Sequence, residues 1–351
     1  MSPLADTRVA RTPRDPGLFL ALAPMDGVTD WVFRELISGL GAVSQCASEF
    51  VRITDRPVPA KVLRRHCPEL DRGGVTASGV PVYVQLLGGE AEPMAESAAL
   101  ALSLGAPGID LNFGCPAKTV NRHDGGASLL RAPARIERIV SAVRRIVPAD
   151  RGLSVKIRTG WDDARDAPVL ASAAEAGGAD WITIHGRTRC QQYAPPVDWR
   201  AIGRAREAVS IPVVANGDLN TIEAVDRCRK ESGCDAFMLG RAAMGRPRLF
   251  RALRGLESDA PPSPQRLREL LRRYCERMLE AGRTERGALN RMKQWLCYGS
   301  RAEPALAAPF EAIKRCQGLA EAATALQLTA SGASWPPRAP GMDRRSTWLS
   351  P

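Results

Sequence analysis

The side chains with chemical potential fall in a few short stretches of this chain. Asn112-Phe113-Gly114-Cys115-Pro116-Ala117-Lys118 sets a cysteine in a glycine–proline loop, close in sequence to Lys118 and His123. A thiol in such a loop can donate a proton or act as a nucleophile, its pKa tuned by its surroundings. The alternative is a small buried hydrophobe, the usual fate of a free cysteine. Gln85 carries an amide that both donates and accepts, which suits the edge of a heterocycle. Lys156 can hold negative charge or form a Schiff base. His185 is a ring contact or a hydrogen-bonded histidine. Asn216-Gly217-Asp218 and Gly240-Arg241 place glycines where backbone N–H groups can approach phosphate oxygens, with Arg241 adding a charge-assisted bond. Tight turns also demand glycine. Two adjacent loops with the same pattern favour phosphate.

Short apolar runs carry these residues at their C-terminal ends. Leu18–Met25, Val43–Phe50, Val82–Leu87, Gly108–Asn112, Leu153–Arg158, Trp181–His185, Pro212–Asn216 and Ala236–Gly240 are too short for helices, and several are β-branched, so they are expected strands. Amphipathic stretches lie between them, among them Glu92–Leu104, Ala134–Ile146 and Ala167–Ala176. About eight strand–helix units point to a closed (β/α)8 barrel, the TIM barrel, whose site lies at the C-terminal ends of its strands. An open doubly wound sheet would gather the polar residues at one crevice instead.

The barrel is expected over residues 17–250. Glu257–Pro264 reads as a linker, and Ser263–Pro264 as a helix start with serine as N-cap. Leu267, Leu270, Leu271, Tyr274 and Met278 follow as a buried stripe, with Arg266, Arg272, Arg273 and Arg277 mostly off it. A second helix is expected over Leu289–Tyr298, giving a C-terminal helical bundle over 263–325. Residues 1–16 and 326–351 are expected to be disordered tails.

The chain of 351 residues carries a net charge of +11, which suggests a polyanionic partner or an arginine-rich composition. Only six of the 49 basic residues are lysine, so arginine carries the charge. Nine cysteines with no C-x-x-C pair argue against a disulfide framework and a zinc ribbon, so no metal site is expected and a reducing cytoplasm is the natural compartment. No apolar run is long enough to span a membrane, and the first residues lack the apolar core of a secretory signal.

PMDGVTD, EFVR, VQLLG, DLNFGCPAKTV, VKIRTGWD, IHGRT, PVVANGD and MLGRA resemble, in this order, the motifs of tRNA-dihydrouridine synthases. The resemblance runs from about Leu20 to Cys316. Glu49-Phe50-Val51-Arg52, His66-Cys67-Pro68-Glu69-Leu70, KTVNRHDGGASLL and Arg291-Met292-Lys293-Gln294-Trp295-Leu296 are most similar to the C subfamily, associated with uridine 16 of the D-loop. It implies FMN as cofactor, NADPH or NADH as hydride donor, and tRNA as substrate. It places Pro24, Met25 and Asp26 along the flavin, with Gln85, Lys156 and His185 around its ring and ribityl chain. Asn216, Gly217, Asp218, Gly240 and Arg241 would hold its ribityl and phosphate end. Cys115 becomes the proton donor, Asn112 and Arg158 substrate contacts, and Arg52, Arg291 and Lys293 residues that orient tRNA. Asp26 departs from the glutamate of the C-subfamily pattern.

The chemistry so implied is hydride delivery to C6 of uracil and protonation of C5 by Cys115, on a base flipped into the barrel mouth. A flavin barrel acting on free pyrimidine would oxidise NADPH with uracil alone. A Schiff-base aldolase would be colourless and trapped by borohydride. A non-catalytic RNA chaperone would work without Cys115. A monomer is expected, since no large apolar surface is evident.

Overall fold

The computed structural model describes residues 12–121 and 125–328. Nine strands appear: β1 Phe19–Leu22, β2 Gln45–Ala47, β3 Val51–Arg52, β4 Val82–Leu87, β5 Gly108–Asn112, β6 Gly152–Arg158, β7 Trp181–His185, β8 Val213–Asn216 and β9 Ala236–Leu239. Every pairing between these strands is parallel. Around the ring the order is β1, β2, β4, β5, β6, β7, β8, β9, and β2 pairs with β4 to close it. The eight-stranded barrel expected from the strand–helix alternation is therefore present, and helices pack outside it.

Two of the expected strands differ from the observed ones by more than one residue at an end. β1 stops at Leu22, because the chain turns at Met25, where the N–H donates to Thr29 Oγ1 at 2.7 Å. The run Val43–Phe50 divides into β2 and β3. The Ser48 hydroxyl accepts the Gln85 N–H at 3.0 Å, taking a place the ladder would hold. β3 then pairs with the end of β4 alone, Val51 beside Leu86 and Arg52 beside Leu87.

The barrel has two apolar layers. Residues pointing outward from the strands join the helices in one large buried cluster. Residues pointing inward form a second, with Phe19, Tyr83, Trp181 and Met238 among them. The Tyr83 and Trp181 rings lie 5.6 Å apart. A Cβ on Gly108 or Gly152, at the starts of β5 and β6, would come within 2.3 Å of Tyr83, so only glycine admits this ring. The aromatic pair fills the N-terminal end of the barrel and leaves the C-terminal end for polar side chains.

The helix Pro264–Glu280 begins as expected, with Ser263 Oγ accepting the Arg266 N–H at 3.3 Å. Its stripe is buried throughout, with Cys275 added. The following helix is Glu285–Gly299, longer than Leu289–Tyr298 because Thr284 caps it a turn earlier. Phe33 of the helix Trp31–Gly39 packs edge-on against Tyr274 and Trp295, at 6.1 and 5.0 Å. Trp295 Nε1 donates to the Met244 carbonyl at 3.0 Å. Barrel and C-terminal helices thus share one apolar cluster. Leu326 and Leu328 are buried, so packed structure continues past 325. Most of both expected tails, residues 1–11 and 329–351, lies outside the described residues. No helix among the described residues is long and apolar enough to cross a membrane.

Candidate active site

Side chains two apart on a strand share a face. On β6 this sends Ser154, Lys156 and Arg158 inward, and Val155 and Ile157 out to the helices. Parallel register then sets inward residues side by side: Gln85 with Asp110, Asn112 with Lys156, Arg158 with His185, and His185 with Asn216.

A chain of hydrogen bonds runs through the first half of this floor. Gln85 Nε2 donates to Asp110 Oδ2 at 2.6 Å, and Ser154 Oγ donates to Asp110 Oδ1 at 2.6 Å. A carboxylate only accepts, so it turns the Gln85 amide nitrogen toward itself. The Gln85 oxygen then accepts from Asn112 Nδ2 at 2.9 Å, and Asn112 Oδ1 accepts the Gly114 N–H at 2.9 Å. Asp110 thereby reaches the loop that carries Cys115. Burial lifts its pKa, while Gln85, Ser154 and Lys156 oppose the lift. Asp110 and Ser154 were not singled out in the sequence. The available signal was the alternation Asp110-Leu111-Asn112, which places the acid on the same inward face as the amide.

The second half centres on Asn216. Its Nδ2 donates to the Met238 carbonyl at 2.8 Å, leaving Oδ1 for His185 Nδ1 at 2.8 Å and Lys156 Nζ at 3.4 Å. His185 therefore carries its hydrogen on Nδ1, and Nε2 is a buried acceptor with no partner among the described residues. Burial holds the His185 pKa well below its ordinary value, with Arg158 and Lys156 acting in the same direction, so the ring is neutral. Burial and the nearby Arg158 charge push Lys156 down to about 8.

Cys115 is half-buried in the loop after β5. Burial raises its pKa, so the thiol keeps its proton. Its carbonyl accepts the Ala127 N–H at 3.1 Å, which ties the loop to the turn Gly126–Arg131. Arg158 is buried and committed to three carbonyls: Gly114 at 2.8 Å, Thr188 at 3.1 Å and Gln192 at 2.6 Å. It joins the Cys115 loop to the loop after β7. His123 and the Lys118 side chain lie outside what the structure describes.

After β8, Gly217 has φ +122° and Asp218 φ +53°. Asp218 bonds Arg187 at 2.5 and 3.2 Å and Arg241 at 2.5 Å. Burial alone would raise its pKa; the two guanidiniums outweigh that and hold it below its ordinary value. Arg187, not noticed in the sequence, is buried behind Asp218. A Cβ on Gly240 would lie 3.6 Å from Met25 Sδ, so the turns after β1 and β9 meet. Pro24 and Met25 are half-buried there and Asp26 is exposed.

Arg52 is exposed on β3. Arg291 comes off the helix Glu285–Gly299 to the turns after β1 and β2, its Nε 3.7 Å from Asp30 Oδ2 and its Nη1 3.9 Å from Glu49 Oε1. Burial raises the pKa of both carboxyls. Lys293, two residues on, projects from another flank of the helix. Its Nζ donates to the Cys316 carbonyl at 2.6 Å. The structure thus brings Arg291 to the mouth and commits Lys293 to its own helices. The HCPEL stretch also finds its place: Glu69 forms a buried two-bond pair with Arg34, both at 2.8 Å, and Arg34 also holds the carbonyls of Thr29 and His66.

A dihydrouridine synthase family model matches residues 21–331. A tRNA-dihydrouridine(16) synthase of Cupriavidus necator is 43% identical over 319 residues, 90% of this chain and 99% of that protein. Proteins of the same name from Pseudomonas putida and Haemophilus influenzae are 42% and 43% identical, over 84% of this chain and 92% and 95% of their own length. This chain belongs to the dihydrouridine synthase family. Dihydrouridine synthases are flavin-dependent oxidoreductases that modify tRNA, and the chain is an enzyme of that class. A flavin fits the residues at the mouth. His185 Nε2 is a buried acceptor awaiting a donor, Lys156 supplies positive charge, and the turns at Gly217 and Gly240 open backbone beside Arg241.

Proposed function

We propose that the chain reduces uridine to 5,6-dihydrouridine at position 16 of the tRNA D-loop, with FMN as its cofactor and NADPH as hydride donor. The observation that carries this reading is a half-buried thiol that keeps its proton, in a loop that Arg158 of the polar floor holds through the Gly114 carbonyl. Bound FMN, reduced by NADPH, supplies the hydride for C6 of uracil. Cys115 gives its proton to C5, quenching the enolate charge that hydride addition creates. Asn112 and Lys156 polarise the uracil ring system, and Arg158 keeps the Cys115 loop in register. Gln85, His185 and Lys156 hold the flavin ring; Asn216, Gly217, Gly240 and Arg241 hold its ribityl and phosphate end. Pro24, Met25 and Asp26 line it. Asp218 acts by fixing Arg241.

The target base is flipped out of its stack into the mouth, at a cost of a few kcal/mol offset by phosphate contacts. Arg52 and Arg291 orient the tRNA, and residues 263–325 act as its docking domain beside a flavin barrel of residues 17–250. The three relatives named above bear the name for position 16, which supports this site. The enzyme is read as a cytoplasmic monomer.

The test is mass-spectrometric mapping of unmodified tRNA incubated with the protein, FMN and NADPH, beside Cys115→Ala. Dihydrouridine at position 16, lost in the variant, upholds the reading. Dihydrouridine at another position overturns the site but keeps the reaction. A yellow, folded protein that oxidises NADPH with free uracil and leaves tRNA unchanged overturns both.

A further inference from the structure

Many arginines of this chain are matched to acids. Arg34 meets Glu69, Arg187 and Arg241 share Asp218, Arg246 meets Asp259 and Glu303, and Arg277 meets Glu35 and Glu280. Two on the barrel rim are held differently. The Arg131 guanidinium carbon lies 3.5 Å from the centroid of the Trp161 ring, and that of Arg189 lies 4.7 Å from it. Among the described residues neither guanidinium has an ion-pair partner, and Arg189 Nε is buried with no hydrogen-bond partner. Asp162, Asp163 and Asp166 follow Trp161 in sequence, but Asp163 is paired with Arg165 and none of the three bonds either stacked arginine.

The three residues come from successive loops after β5, β6 and β7, the same end of the barrel as Cys115, Lys156 and His185. The last two loops are fixed by main chain. Thr159 N donates to Arg187 O at 3.3 Å, Arg189 N to Gly160 O at 2.9 Å and Cys190 N to Trp161 O at 2.8 Å. In the ring of strands β6 stands four places from β1, directly across the barrel. The C-terminal helices touch the turns after β1 and β2, so the stack lies on the opposite side of the mouth. Stacking on indole orients a guanidinium while leaving its N–H fork open to oxygen ligands, and the planar fork matches a phosphate.

We propose that Arg131, Trp161 and Arg189 form a clamp for backbone phosphates of structured RNA, facing the helical side across the mouth. This rests on the reading of tRNA as substrate. It gives the RNA a second anchor, so that the strand spans the opening between two fixed points.

The test is tRNA binding to the flavin-loaded enzyme across a salt series, for wild type and the double variant Arg131→Gln, Arg189→Gln. Glutamine keeps a planar amide near the indole and removes both charges. The clamp predicts that the slope of log Kd against log salt falls by about 1 to 2 and that binding weakens by about fivefold or more. Each single variant shows about half the slope change, and Arg131→Lys with Arg189→Lys restores it. An unchanged slope overturns the proposal. So does weaker binding at unchanged slope, which would assign the stack to loop packing. Bound flavin, read from its visible spectrum, confirms folding. Wild type that binds tRNA with the predicted behaviour yet forms no dihydrouridine would uphold the clamp and sink the reduction reading.

Discussion

The floor of the mouth and its rim use polar side chains in opposite ways. On the floor the groups answer to one another in closed sequence: Asp110 sets Gln85, Gln85 sets Asn112, Asn112 sets the Cys115 loop, and Asn216 sets His185. Burial there moves pKa values, leaving a neutral histidine and a lysine at about 8. On the rim, part-exposed arginines lie beside carboxylates or aromatic rings, where salt screens them more than it does the floor. Changes to the floor should therefore appear in turnover and flavin binding. Changes to the rim should appear in tRNA affinity and its salt dependence.

The sharpest way to break this division is Cys115→Ala. Loss of a general acid should lower kcat by about 10²- to 10⁴-fold while KM for tRNA stays within about twofold. A steady-state comparison that found a raised KM and a preserved kcat would place Cys115 with the rim. Next in size is the frame beneath both regions. Glu69→Ala strands Arg34 in the interior and should cost about 3–5 kcal/mol in urea unfolding. Removing Glu280, which pairs with Arg277 in water, should cost about 0–1 kcal/mol.

Asp110 offers a finer cut through the floor. Asp110→Ala leaves the Gln85 amide and the Ser154 hydroxyl without their acceptor, at about 1–3 kcal/mol for each buried group. Asp110→Asn should recover most of that, since its oxygen still takes the Gln85 bond and Ser154 can accept from the new amide. Equal losses in both variants, by thermal unfolding and kcat, would show that charge rather than orientation matters there. Lys156 supplies the pH test. Its depressed pKa means that the charged form prevails below about 8 and is lost above it. The carbonyl oxygens of the flavin ring and the net negative charge of FMN favour the charged form, so FMN affinity should fall as pH rises through about 8. In Lys156→Met a fluorescence titration should show a flat profile over that range. The smallest effect belongs to the rim. Arg291→Ala should raise KM for tRNA by about two- to tenfold with kcat kept.

Much of this was legible in the chain. Strands that end in Asn112, Arg158, His185 and Asn216, and the one that carries Gln85 near its end, show themselves by length and β-branching, and these residues mark the mouth. The Ser263 cap and the leucine stripe after it are local patterns and appear where expected. β3 was hidden because it is two residues long and pairs only with the end of β4, beyond the break in the run at Ser48. Arg158 and Lys293 look in sequence like free cations, and only the fold shows which carbonyls they hold. The Arg131–Trp161–Arg189 stack joins three loops, a relation that no periodicity within one segment can record.

The Asn216 amide has a consequence for what the enzyme can accept. A main-chain oxygen, that of Met238, can only take a hydrogen, so it compels the amide to turn its own oxygen to His185. The imidazole is left with a bare lone pair on Nε2, and whatever settles against it must arrive hydrogen-first. A molecule of the right shape presenting an N-methyl group or a second lone pair there would be refused. This choice of ligand is inherited from the course of the backbone in β9, so replacing the Met238 side chain would leave it in force.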